Sequence, residues 1–180
     1  MKLKELLSGL EILSATADLE TEITGISYDS RQVKPGELFA ALSGYAADGH
    51  KFIPQAMASG AAAALCQVPP EDGTPYVQVA DSRRALAVTA GNFFGHPSKS
   101  MTMVGITGTN GKTTTTYLLK AVLEARGEKV GLIGTNQNMI GQEILPTERT
   151  TPESFELQKL FARMRDAGCT YVVMEVSSHA

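Results

Sequence analysis

The chain has 180 residues, 43% of them hydrophobic, enough for one large domain or two small ones, and its formal net charge of −3 gives no support for a nucleic-acid or membrane-surface protein. No apolar run reaches the roughly 18 residues that a membrane span needs, and Met1-Lys2-Leu3-Lys4-Glu5 lacks a signal-peptide core. The two cysteines, Cys66 and Cys169, sit in apolar strand-like runs and read as buried reduced thiols, so no membrane insertion and a cytoplasmic location are expected.

Leu3, Leu6, Leu7 and Leu10 open the chain with a short helical stripe. A strand is expected over 22–28, ending in Asp29-Ser30-Arg31, then a turn at Lys34-Pro35-Gly36 and an apolar strand over 37–42. Residues 43–50 form a Gly-flanked loop, and Ile53, Ala56 and Met57 mark a helix that stops at Gly60. Strands over 61–66 and 76–79 flank an exposed turn, Pro69-Pro70-Glu71-Asp72-Gly73. Asp81 or Ser82 then caps a helix running through Leu86, Ala90, Phe93 and Phe94, which Gly95 and Pro97 end.

The segment His96-Pro97-Ser98-Lys99-Ser100 is the expected boundary, dividing a compact α/β unit, 1–97, from a second unit, 98–180. The second unit starts with an apolar, β-rich run from Met101 to Thr107, then Gly108-Thr109-Asn110-Gly111-Lys112-Thr113-Thr114, then a helix with Leu118, Leu119, Val122 and Leu123 on one stripe. Strand, glycine loop, Lys-Thr and helix together make a phosphate site. The glycines let backbone N–H groups crowd a polyphosphate, and the helix N-terminus adds partial positive charge. Lys112 would reach the β/γ-phosphates and the Thr113 hydroxyl would ligate Mg²⁺. The strict motif asks for glycine where Ile106 stands, so the textual pattern is incomplete, while the part that touches phosphate is present.

A strand over 129–133 leads to a long structureless loop, 134–150, of the kind that is functional or mobile. Thr151 as N-cap, Pro152 at the first position and Glu153 facing the dipole would start a helix whose stripe is Leu157, Leu160, Phe161 and Met164. A buried strand over 171–176 finishes as Glu175-Val176-Ser177-Ser178-His179. Strands alternating with helices imply a parallel sheet, whose ligands gather at the carboxyl ends of the strands. The phosphate loop, the end of the 134–150 loop and Glu175 to His179 should converge there. Glu175, at a strand end beside a phosphate loop, is a candidate Mg²⁺ ligand or water orienter. His179 is left open between metal, substrate and no role, and His50 and His96 read as solvated loop residues. Ser30, between Asp29 and Arg31, fits an Asx-type turn and is not singled out by spacing.

Ile106 to Thr114 resembles the ATP loop of the Mur ligase and folylpolyglutamate synthetase superfamily. Asp29-Ser30-Arg31, Thr150-Thr151-Pro152-Glu153-Ser154 and Met174-Glu175-Val176-Ser177-Ser178-His179 narrow the resemblance to the MurE type of Mur ligase, over the whole chain and in order. The resemblance implies an N-terminal UDP-binding domain, 1–97, followed by the first part of a P-loop-type parallel-sheet ATPase domain, 98–180. It implies an ATP-dependent amide ligase of peptidoglycan synthesis. The acceptor carboxylate of UDP-N-acetylmuramoyl-L-alanyl-D-glutamate would be phosphorylated, and a diamino acid, meso-diaminopimelate ahead of L-lysine, would displace the phosphate. By the same resemblance Gly108, Thr109, Asn110, Gly111, Lys112, Thr113 and Thr114 hold the triphosphate, and Thr113 and Glu175 hold Mg²⁺. Lys112 and Glu175 are the residues expected to carry the catalysis. Ser30 with the loop at Tyr45 to Ala47 meets the UDP part, and Thr150, Thr151 and Ser177 meet the muramoyl-peptide part. Arg149 stands where the family commonly has Asn and is given no role. The family places a carbamylated lysine, a metal-binding histidine and an amino-acid-selecting C-terminal domain beyond the position of Ala180. The chain therefore reads as an N-terminal fragment, inactive alone, whose strand at 171–176 should leave an unpaired edge with Val172 and Val173 exposed. Two other readings stand beside this one: a folylpolyglutamate-type ligase, disfavoured by the unit that precedes the ATP loop, and a non-catalytic nucleotide or UDP-sugar-peptide binder.

Overall fold

The computed structural model describes residues 1–44, 48–147 and 149–178, so the expectations at Tyr45 to Ala47 and at His179 lie outside the described residues. The chain divides into two compact units, Met1–Phe93 and Phe94–Ala180. The division falls ahead of the His96-Pro97-Ser98 segment, because Pro97–Ser100 is a short 3₁₀ helix packed on a helix of the second unit.

In the first unit, strands β1 (Ser14–Ala15), β2 (Gly25–Ser27), β3 (Glu37–Ala40), β4 (Ala63–Cys66) and β5 (Tyr76–Gln78) form one sheet in the order β1-β5-β4-β3-β2. β2 through β5 are mutually parallel, and β1 adds antiparallel to β5. Every residue of β4 is buried, as expected of a parallel strand covered on both faces. By the two-residue period of a strand, Phe39, Ala64 and Cys66 turn to one face, where they pack with Ile53 and Ala56 of α2 (Ile53–Ala58). Helix α3 (Ser82–Phe93), with Leu86 and Ala90 fully buried, contacts β3, β4 and α1 (Leu3–Leu6). Asp81 caps α3, its Oδ1 accepting from the N–H groups of Arg83 (2.9 Å) and Arg84 (3.0 Å).

In the second unit, β6 (Thr102–Ile106), α4 (Lys112–Ala125), β7 (Val130–Ile133), β8 (Asn138–Ile140), β9 (Glu143–Leu145), α5 (Ser154–Asp166) and β10 (Tyr171–Glu175) follow in sequence. The sheet order is β6-β10-β7-β8-β9. The last strand is therefore central. β10 pairs in parallel with β6 on one side and β7 on the other, and Val172 and Val173 are completely buried. This overturns the expected exposed edge at 171–176. The crossover through α4 leaves one strand's width between β6 and β7, the return through α5 fills it, and among the described residues β6 and β9 are the outer strands.

Two further expectations are corrected. The stretch 134–150 is not structureless: β8 and β9 form an antiparallel hairpin about Gly141-Gln142, with Gly141 at φ 57°, and β8 extends the sheet beyond β7. Strands of three residues are too short to show a period. The stripe expected on α4 is also divided, with Leu118 63% and Val122 59% exposed, while Thr116 and Lys120 are buried. The buried Lys120 Nζ is paired with Glu124 one turn on, at 2.6 Å. The core of this unit joins Met101, Ile133, Ile140, Phe161, Met164 and Val172. Both cysteines are buried and unpaired, and burial raises the Cys66 thiol to about 11. Among the described residues no helix is long and apolar enough to cross a membrane.

Candidate functional site

β6 ends at Ile106, and the chain turns through Gly108 (φ 135°) and Gly111 (φ 79°) into α4. Side chains adopt these backbone angles with strain, so glycine is what lets the loop close on itself. Gly111 is the N-cap and offers no side-chain acceptor, which leaves the first N–H groups of α4 open to an anion. The Lys112 ammonium folds back over the loop and donates to the carbonyls of Gly108 (2.7 Å) and Thr109 (3.4 Å).

In the first turn of α4, Thr113 faces the end of β10. Its hydroxyl donates to Glu175 Oε2 at 3.1 Å. Glu175 is only 1% exposed, so its carboxylate needs donors. Two more come from Thr135, just beyond β7: its N–H donates to Oε1 at 3.0 Å and its hydroxyl to Oε2 at 3.0 Å. Gly134 makes this approach feasible, since a Cβ there would lie 2.5 Å from Glu175 Oε1.

The loop before α5 is fastened to the same strand end. Thr151 Oγ1 donates to the Glu175 carbonyl at 3.1 Å and accepts from the Ser177 N–H at 3.0 Å. Thr151 is therefore not the N-cap of α5, as expected from sequence. Glu153 takes that place, with its carboxylate accepting from the Ser154 N–H at 3.0 Å. Thr150 reaches Thr135 through a 3.0 Å hydroxyl–hydroxyl contact. The cavity these elements enclose has a volume of about 400 Å³ and is lined by residues 109–114 with Thr135, Thr150, Glu175 and Ser177. Thr113 and Glu175 supply hard oxygen donors, which suits Mg²⁺, a cation that takes few protein ligands and keeps water and phosphate oxygens. Among the described residues no cluster of three or more His, Cys, Asp or Glu offers an all-protein metal site.

Ser30 belongs to the first unit. It is 6% exposed, and its hydroxyl donates to Gln55 Oε1 on α2 at 3.0 Å. Beside it Asp29 accepts from the Arg31 guanidinium and, less strongly, the Arg31 backbone N–H, which hold its carboxyl down at about 2. His50 is not the solvated residue expected, as its side chain is 12% exposed. Its Nε2 accepts from the N–H groups of Gln67 (2.9 Å) and Val68 (3.2 Å), so the ring proton sits on Nδ1 and is donated to Asp48 at 2.6 Å. This bond holds the Asp48 carboxyl below its ordinary value. His96 is exposed, as expected.

Sequence reasoning brought the phosphate loop, Thr150, Glu175 and Ser177 to one strand-end site and missed Gly134 and Thr135. The position after a parallel strand beside a phosphate loop was the available signal, but a single Gly-Thr carries no spacing pattern.

Two family profiles match the chain: the Mur ligase middle domain over residues 106–180, and the Mur ligase family catalytic domain over residues 22–94. The UDP-N-acetylmuramoyl-L-alanyl-D-glutamate–2,6-diaminopimelate ligase of Clostridium botulinum is 49% identical over 185 residues, covering 100% of this chain and 38% of the relative. That of Bacteroides fragilis is 49% identical over 183 residues, with the same shares. The chain thus spans 38% of the length of these curated relatives. A solved structure of a ligase of that same description aligns with TM-score 0.82 at 27% identity, over 99% of this chain and 36% of the other. The MurF ligase of Thermotoga maritima in complex with ADP aligns with TM-score 0.60 at 26% identity, over 89% and 33%.

Proposed function

This chain belongs to the Mur ligase family, and from that premise we propose that it holds MgATP and the acceptor of an ATP-dependent amide ligation. The acceptor is UDP-N-acetylmuramoyl-L-alanyl-D-glutamate and the incoming amine is that of 2,6-diaminopimelate, the substrates in the names of the similar ligases. The observation that carries the reading is the shared cavity. The loop that fits a triphosphate lines one space with Thr150 and Ser177, both proposed for the acceptor, and with the buried Glu175.

In this reading residues 108–114 cradle the triphosphate, and Lys112 leaves its two carbonyl partners to meet the β/γ-phosphates. Thr113 and Glu175 hold Mg²⁺, which when bound neutralises phosphate charge as the anionic acceptor approaches. Thr150, Thr151 and Ser177 orient the muramoyl-peptide, so that the acceptor carboxylate oxygen lies in line with the γ-phosphorus. That oxygen forms a bond to phosphorus as the bond to ADP breaks, giving an acyl phosphate. The amine then attacks the acyl carbon, losing a proton and releasing phosphate. Ser30 and the loop at Tyr45 to Ala47 meet the uridine nucleotide from the first unit, residues 1 to about 97 in the sequence reading.

Amide chemical-shift mapping with UDP-N-acetylmuramoyl-L-alanyl-D-glutamate in the presence of MgATP tests the assignment. Shifts are expected at Thr150, Thr151 and Ser177 and also around Ser30. A response confined to residues after 100, or none at all, contradicts it.

A further inference from the structure

The hydroxyl of Thr135 sits between the two halves of the proposed site. We propose that Thr135 is the positioning residue that fixes the Glu175 carboxylate for nucleotide-bound Mg²⁺ and ties it, through Thr150, to the loop that meets the acceptor. The inference rests on the reading of the cavity as a MgATP site.

Glu175 is buried and receives three hydrogen bonds from side chain and backbone around it. Two of them come from Thr135 and grip both oxygens, N–H to Oε1 and hydroxyl to Oε2, each at 3.0 Å. A carboxylate held at both oxygens by one residue has its plane fixed. The third donor is Thr113, and Thr113 is the group whose oxygen lone pair a metal would take. Thr135 therefore stands behind the ligand and holds it in place, as outer partners of metal-binding carboxylates do.

Proton counting extends the line. The Thr135 hydroxyl has one proton, and its 3.0 Å hydrogen bond gives that proton to Glu175 Oε2. In the 3.0 Å contact between the two hydroxyls the donor is then Thr150. A directed chain results, Thr150 to Thr135 to Glu175, and the Thr150 hydroxyl can meet an acceptor substrate only as a hydrogen-bond acceptor, through its lone pairs. Thr151 fastens the same loop to the Glu175 carbonyl and the Ser177 N–H, so the loop is fixed to the main chain on either side of Val176.

The test compares Thr135→Val, which keeps the backbone N–H and the side-chain shape but removes the hydroxyl, with Thr135→Ser, which keeps the hydroxyl. ATP is titrated calorimetrically into each 180-residue chain with and without Mg²⁺, with thermal unfolding as the control for folding. Thr135→Val should weaken MgATP binding by about 10- to 100-fold, the usual effect of losing an outer partner of a metal ligand. ATP without Mg²⁺ should bind as in the parent chain, and Thr135→Ser should restore MgATP affinity. If Thr135→Val does not fold, Thr135→Ala takes its place with the same two outcomes. MgATP affinity within about twofold of the parent, an equal loss with and without Mg²⁺, or no rescue by serine each overturns the assignment. A parent chain that binds no ATP under either condition overturns the MgATP reading itself.

Discussion

Replacing Lys112 with alanine lowers the affinity of the chain for MgATP by about 10- to 150-fold. The ammonium donates to two neutral carbonyls, Gly108 at 2.7 Å and Thr109 at 3.4 Å, and so waits at the mouth of the loop. Exchanging those contacts for phosphate oxygens replaces neutral acceptors with charged ones. A hydrogen bond to a charged group is worth about 1.5–3 kcal/mol net, and each 1.4 kcal/mol is about tenfold in affinity. Alanine suits the first position of α4, and the lost contacts stay within the loop, so the fold should persist. Titration calorimetry of both chains reads the effect directly, and equal affinities would contradict the assignment.

Replacing Phe39 with alanine destabilises the first unit by about 3–5 kcal/mol, the usual range for a buried phenylalanine. Phe39 is 1% exposed, at the centre of β3, and pairs with Ser27 on β2 and Ala64 on β4. Its packing partners decide where in that range the loss falls. Ala41, Ala56, Ala61 and Ala64 have no rotamers with which to move into the void, leaving Ile53, Val33 and Met57 to fill it. The cavity therefore stays largely open and the upper half of the range applies. Small domains are stable by about 5–15 kcal/mol in total, so the variant approaches global unfolding of this unit. Urea denaturation read through Tyr76, which packs on the same cluster, should show a midpoint moved far toward lower urea. A loss below about 1 kcal/mol would mean that the cluster collapses around the deletion.

What the sequence showed depended on whether the chemistry needs contiguous residues. The phosphate loop was legible because backbone N–H groups, glycine angles and Lys112-Thr113 must follow one another along the chain. Glu175 was legible because a carboxylate ending an apolar strand stands out. Thr135 was not, since its role comes from the spatial order of β7 beside β10, which periodicity does not encode. The same gap explains why β10 was placed at an edge. His50 was misread because its two backbone donors, at Gln67 and Val68, are far from it in sequence. The stripe on α4 showed that a helical period identifies a helix without saying which side meets the sheet. There the buried positions are Thr116 and Lys120, and the apolar Leu118 and Val122 face outward.

The central claim is that the threonine of the phosphate loop and the buried strand-end glutamate hold the metal of a bound nucleotide. Replacing Mg²⁺ with paramagnetic Mn²⁺ tests it most directly. With ATP present and Mn²⁺ added in small steps to the ¹⁵N-labelled chain, the amides of Thr113, Thr135 and Glu175 should broaden first, and without ATP they should need far more metal. Broadening that starts at surface carboxylates such as Glu20 and Glu22, with the Thr113 and Glu175 amides left sharp, would contradict the account.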